Sequence, residues 1–374
     1  MTRLVLRTPL TDLLGIEYPV LQSGMGAVAG PELVAEVCRA GGLGILAGLR
    51  VEAPELRRRI HRVRELTDRP FGVNLWLHPA LRPPADVATL PDATVRAVQG
   101  ALNPFRTRMG LPETLERPAP VPNLIADALE VILDERVPLW SVGLGDPGPD
   151  LVGRCHQRGV RVMAMVASVE DARAVAASGV DVVVAQGLEA GGHRSSWSAE
   201  SAGRGTVGTL ALVPQVVDAV EVPVVAAGGL ADGRGLVAAL ALGAGGVLLG
   251  TRFVATRESD APASWKRALL ERESHDTVVS AAVSGLPARY IRNRFLDEYD
   301  ASGAPVLPPL VQSSAAETIF KAAGQRDDPE HLPMPSGQSV GLIRDLPGAG
   351  EVVASVVSQA VAVLAALPRR VRAG

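Results

Sequence analysis

One recurrence constrains this chain more than anything else. Eight short aliphatic runs, most of them closed by glycine, follow one another: Pro19–Met25, Gly42–Gly48, Phe71–Leu77, Pro138–Leu144, Arg161–Val166, Asp181–Gly187, Pro223–Gly229 and Gly245–Thr251. None alternates polar with apolar, as a half-solvated antiparallel strand would. Continuous apolar runs belong to strands covered on both faces. Between them lie helix-like segments. Pro31–Ala40 opens with proline in its first turn, and Glu170–Ser178 starts acidic and stops before Gly179.

Most strand starts lie 20–28 residues apart, the length of one strand, loop and helix. Eight such units predict an α/β fold of the (β/α)8, or TIM barrel, type rather than an open doubly wound sheet. Two gaps are longer. Residues 78–122 hold nine prolines and are read as an irregular proline-rich insertion after the third strand. From Arg252 the rhythm stops, and Val352, Val353, Val356, Val357, Ala360, Val361, Leu364 and Leu367 keep helical spacing. The expected division is a barrel over 1–251 and a C-terminal helical cap over 252–374, packed on it.

Composition narrows the partners. Apolar residues make up 47% against 21% charged, which allows a large core and excludes general disorder. Aromatics are 3%, so that core is expected to be Ala, Val and Leu. A net charge of −3 leaves no basic footprint for nucleic acid or a membrane surface. Cys38 and Cys155 form no CxxC pair, which argues against a zinc or disulfide framework and fits a reducing compartment. The N-terminus lacks the apolar core of a signal peptide. The apolar stretches Leu236–Gly250 and Val352–Leu367 are shorter than a membrane span. A cytoplasmic protein is expected; capped barrels often pair, which leaves a homodimer open.

Barrel active sites use the C-terminal ends of the strands. Ala227-Gly228-Gly229 and Gly250-Thr251, at the seventh and eighth strand ends, stand where barrels hold a phosphate on main-chain N–H groups. Gly24-Met25-Gly26 opens a weak dinucleotide fingerprint. The acidic residue it needs is absent from Leu46-Ala47-Gly48-Leu49-Arg50, so a Rossmann site is rejected. His193, after Gly191-Gly192, is the leading candidate for acid–base work, with His78 as a rival. Glu189 is placed to orient the loop. His61 reads as a solvated-face residue among arginines, and no spacing suggests a metal.

These strand ends resemble the nitronate monooxygenase family of FMN-binding TIM-barrel enzymes. The likeness runs through Gly15–Gln22, Arg69–Leu75, Ala185–Arg194, Gly208–Ala219, Ala227–Gly235, Gly250–Phe253 and Ser336–Gln338. It implies that Gly24, Met25 and Gly26 lie against the flavin and that Asn74 and Gln186 hydrogen-bond it. Gly191 and Gly192 would admit the cofactor closely, and Ala227, Gly228, Gly229, Gly250 and Thr251 would hold its phosphate. His193 would be the catalytic histidine, acting on a nitronate or nitroalkane with O2 to give a carbonyl compound and nitrite. One departure is Gly143-Leu144-Gly145-Asp146-Pro147, closer to flavin-dependent enoyl-ACP reductases. It keeps an NAD(P)H-dependent reductase of enoyl-ACP or quinone type as the alternative.

Overall fold

The computed structural model describes residues 6–197 and 205–370. All eight expected runs form strands: β1 (Val20–Gln22), β2 (Ile45–Ala47), β3 (Gly72–Trp76), β4 (Leu139–Gly143), β5 (Arg161–Val166), β6 (Val182–Gln186), β8 (Val224–Ala227) and β9 (Gly246–Leu249). They pair in parallel, each with its neighbour in this order, and β9 returns to β1. The seam between β1 and β2 is closed by a bridge of Leu21 to Leu43. The Gln22 carboxamide reinforces it, accepting from Ile45 N at 3.1 Å.

The absence of alternation in the strands now has its cause. Leu21, Ile45, Met163, Val182, Val184 and Val225 fill the lumen. Val20, Leu46, Val73, Trp140, Val183 and Val247 face outward into the core beneath the helices. Both faces are dry, so both are apolar. The short helix Pro9–Leu14 plugs the lower end, sending Leu10 and Leu14 into the lumen cluster. Thr8 caps it and donates through Oγ1 to Gly245 O at 2.7 Å.

Two expectations need correction. The insertion at 78–122 is not irregular throughout, because Asp92–Arg108 is a 17-residue helix with Pro104 inside it. Its buried residues Val95, Val98, Leu102 and Phe105 repeat at three and four positions, a stripe the surrounding prolines obscured. The segment after Arg252 is not purely helical either. Strands β10 (Thr277–Ser280) and β11 (Ala288–Ile291) form a hairpin, and β11 pairs antiparallel with β7 (Gly192–His193).

The insertion helix and the C-terminal segment share one core, which holds Phe105, Trp265, Tyr290, Phe295, Tyr299 and Ile319. The last helix, Ala349–Arg370, is longer than the expected segment Glu351–Leu367. By length and composition alone Ala349–Pro368 could cross a membrane. Its residues Val352, Val353, Val356 and Ala360 are buried in the barrel's outer core, so it runs along the barrel wall rather than over the mouth. The outermost parts of the two expected units, 1–5 and 371–374, lie outside the described residues.

Candidate active site

A cavity of about 250 Å³ opens at the C-terminal rim of the barrel. All thirteen residues singled out from the sequence line it: Gly24, Met25, Gly26, Asn74, Gln186, Gly191, Gly192, His193, Ala227, Gly228, Gly229, Gly250 and Thr251. Trp76, Ser195, Trp265, Pro335 and Ser339 join them. The last three come from the C-terminal segment, whose route back to the barrel mouth no local pattern announces.

The loop after β6 is held from several sides. Gln186, at the end of β6, donates through Nε2 to His193 O at 2.9 Å and accepts from Ser195 N at 2.8 Å. Ser195 Oγ donates to Met165 O at 2.7 Å and accepts from Leu144 N at 3.1 Å. The loop is thereby tied to the ends of β4, β5 and β6. The Glu189 carboxylate accepts from Thr209 N at 2.9 Å and Thr209 Oγ1 at 2.9 Å, where the helix Thr209–Val217 begins. A carboxylate there satisfies helix N–H groups and meets the positive end of the helix dipole. Arg194 donates to Gly187 O at 2.7 Å and Leu188 O at 2.7 Å, and Arg289 to Leu188 O at 3.0 Å. Burial, with the Arg289 charge adding to it, brings Arg194 down to about 10.

His193 therefore hangs from a fixed backbone. Its Nε2 lies 2.7 Å from Ser284 Oγ. Its ring meets Trp76 edge-on, with centroids 4.4 Å apart and planes at 65°. Burial, helped by the nearby His78, lowers its pKa to about 4, so the imidazole is neutral at pH 7. The rival His78 accepts at Nδ1 from Ala80 N and is not among the residues lining the cavity. His61 lies on an exposed helix face beside Glu135, as a solvated residue should.

The glycines divide by what their bare side meets. A Cβ on Gly24 would stand 2.4 Å from Asn74 Cβ, and one on Gly191 would stand 2.4 Å from Gly337 N. Those two positions are used up by protein packing. Around Gly26 and Gly192 there is nothing within 4 Å of such a Cβ, and at Gly250 the nearest atom is Met25 Sδ at 3.8 Å. These leave room for a ligand. Gly228 and Gly229 are both left-handed, with φ of 101° and 71°, a conformation glycine adopts without strain. Among the described residues, no acceptor pairs with the main-chain N–H of Gly229 or Thr251. Two donors at the ends of β8 and β9 thus remain for a ligand. Asn74 spends its Nδ2 on Ser141 O and Oγ, both at 3.1 Å, and its side-chain Oδ1 has no partner among the described residues.

Residues 7–359 match the nitronate monooxygenase family. The chain belongs to that family. It is 37% identical over 365 residues to a probable nitronate monooxygenase of Staphylococcus saprophyticus, covering 95% of this chain and 98% of the other. Among solved structures it is similar to nitroalkane oxidase from Streptomyces ansochromogenes, with a TM-score of 0.86 and 36% identity over 96% of this chain and 99% of that one. FabK from Thermotoga maritima follows at 0.77 and 32% over 98% and 99%. Nitronate monooxygenases are flavin-dependent oxidoreductases, and this chain is an oxidoreductase of that kind.

Proposed function

We propose that the enzyme uses FMN to oxidise alkyl nitronates with O2, releasing a carbonyl compound and nitrite. One observation carries the reading: a fixed, neutral imidazole lines a cavity rich in glycine, whose β8–β9 end offers main-chain donors with no acceptor among the described residues. Those donors suit a phosphate. Gly229 and Thr251 would hold it, while Met25, Gly26, Asn74 and Gln186 would flank the ring. Bound FMN would supply the one-electron oxidation that no side chain here can perform. His193 would hydrogen-bond the oxygens of an ionised substrate, or take the α-proton of a neutral nitroalkane. Trp76, Leu144 and Met165 wall the cavity with apolar surface that excludes water and suits a small alkyl group.

The test begins with the visible spectrum of the FMN-loaded protein and anaerobic mixing. Bleaching by a nitronate, with none by NADH, is the expected result. The reverse selects the second reading, an enoyl-ACP or quinone reductase, which the Gly143-Leu144-Gly145-Asp146-Pro147 turn and the likeness to FabK favour. His193→Asn separates the two tasks of the imidazole. Asparagine keeps an N–H donor but has no basic nitrogen. Turnover of nitroalkanes should fall by about 10²–10⁴, the usual worth of general base catalysis, and turnover of preformed nitronates far less. Equal losses on both would remove the base from the mechanism.

A further inference from the structure

We propose that the indole N–H of Trp76 is a substrate-binding donor, which grips one oxygen of a nitronate anion beside His193. This rests on the function proposed above and deepens it, naming a side chain that recognises the charged form of the substrate.

An anion held away from water needs partners for its oxygens. Among the described residues that line the cavity there is no Lys, Arg, Asp or Glu, so those partners must be neutral donors. His193 alone does not supply enough. Its Nε2 is engaged by Ser284 Oγ at 2.7 Å, whichever of the two atoms gives the proton, and one ring nitrogen is left for two substrate oxygens. Three other side chains on the lining turn their nitrogens to protein acceptors. Asn74 directs Nδ2 to Ser141, Gln186 directs Nε2 to His193 O, and Trp265 donates through Nε1 to Ser336 Oγ at 3.0 Å. Trp76 Nε1 has no acceptor among the described residues. Nor is it sealed inside the protein, unlike Trp140 Nε1, which is enclosed without a partner.

The strand register puts that donor at the barrel mouth. Along β3, Asn74 and Trp76 line the cavity while Val73 and Leu75 lie in the outer core, and Trp76 stands opposite Gly143 of β4. A Cβ on Gly143 would be 3.1 Å from Trp76 Cδ1 and 3.6 Å from Nε1. Bare backbone at Gly143 thus seats the side of the indole that carries the N–H. The same side chain meets the His193 ring with centroids 4.4 Å apart. An oxygen within hydrogen-bond reach of the imidazole is therefore beside Trp76 as well. An indole N–H can only donate, so the direction of the bond is fixed. Such a bond is stronger to an ionised acceptor than to a neutral one, and Trp76 accordingly favours the nitronate over the neutral nitroalkane.

The experiment follows the indole N–H signals of the four tryptophans in FMN-loaded protein carrying ¹⁵N-tryptophan. Loss of a signal in Trp76→Phe identifies that of Trp76; should this variant not fold, phenylalanine variants of the other three identify it by elimination. The probe is sodium butanoate, whose carboxylate shares the charge and two-oxygen shape of a nitronate. Butanoate is expected to move the Trp76 signal downfield and to leave that of Trp140 in place. By flavin absorbance, Trp76→Phe should bind butanoate about 10–100-fold more weakly, the worth of one hydrogen bond to a charged group. Its kcat/KM for a nitronate should fall by the same factor, and for the parent nitroalkane by about tenfold or less. A Trp76 signal that FMN shifts and butanoate does not would assign the donor to the cofactor and overturn the proposal. A Trp76→Phe variant that binds butanoate as tightly as the wild type overturns it too, as does a wild type that binds none. Butanoate binding is read without turnover, so a protein whose Trp76 signal responds as expected but which leaves nitronates untouched would sink the proposed function alone.

Discussion

In the barrel lumen the buried side chains are aliphatic, Leu21, Ile45, Met163, Val184 and their neighbours; in the outer unit Phe105, Trp265, Tyr290, Phe295 and Tyr299 stand among Ala, Val and Leu. Three of the chain's five phenylalanines, Phe105, Phe295 and Phe320, meet in that second core, with ring centroids of Phe105 and Phe295 4.9 Å apart. The expected core of Ala, Val and Leu holds in both units, and the cap adds an aromatic cluster to it. The difference reaches the cavity. The barrel offers it glycine backbone, which places donors close to a ligand but cannot be tuned. The outer unit offers Trp265, Pro335 and Ser339 to its lining, and Ser284 to the His193 ring. On the proposed function, recognition of the cofactor and adjustment of the chemistry would fall to different cores.

The hardest way to break this division is Phe105→Ala. Phe105 is 2% exposed and joins the insertion helix to the C-terminal unit. Emptying that space should cost about 3–5 kcal/mol. If the two cores are energetically separate, urea unfolding of the variant should split into an early cap transition and a later barrel transition. A single shifted transition would show that they melt as one.

The barrel was legible in the sequence because each strand carries its own evidence: a run apolar on both faces, a glycine at its end, and a spacing that repeats. The site residues on strand ends followed from that. The outer unit lacked such local evidence. Strand β11 finds its partner β7 almost a hundred positions earlier, and Ser336–Ser339 returns to the rim from still farther away, so neither pairing leaves a periodic mark. The insertion helix did leave one, in Val95, Val98, Leu102 and Phe105. There the prolines at its flanks, and Pro104 within it, mask the stripe.

A smaller effect sharpens where the units touch. Gly191 of the barrel loop and Gly337 of the C-terminal segment lie back to back, and Gln338 N donates to Glu189 O at 2.9 Å beside them. In Gly191→Ala the new carbon would press on backbone that cannot swing aside, costing about 1–3 kcal/mol. Gly26→Ala meets nothing within 4 Å, so its stability should be unchanged while FMN affinity falls. Denaturation midpoints and flavin-fluorescence titrations of both variants test this. Equal behaviour would erase the distinction between glycines that serve packing and glycines that serve the ligand.

The smallest expected effect lies on the surface of the outer unit. Arg108, near the end of the insertion helix, pairs with Glu298 and also covers the Phe105 ring, its guanidinium carbon 5.1 Å from the centroid. The hydrogen bond from Arg108 holds the Glu298 carboxyl below the usual range. A depressed acid pKa contributes stability above the unfolded value, near 4.3, and that contribution disappears as pH falls through the folded one. Both side chains are substantially exposed, so solvent screening should limit the pair to at most about 1 kcal/mol. Glu298→Gln should therefore cost up to that amount at pH 7 and almost nothing at pH 3. Arg108→Ala should retain a cost at pH 3, because its cover of Phe105 does not depend on the carboxylate. Urea midpoints at the two pH values separate these contributions. A Glu298→Gln deficit that persists in acid would mean the two side chains meet through packing, and that charge does nothing to bind the insertion helix to its core.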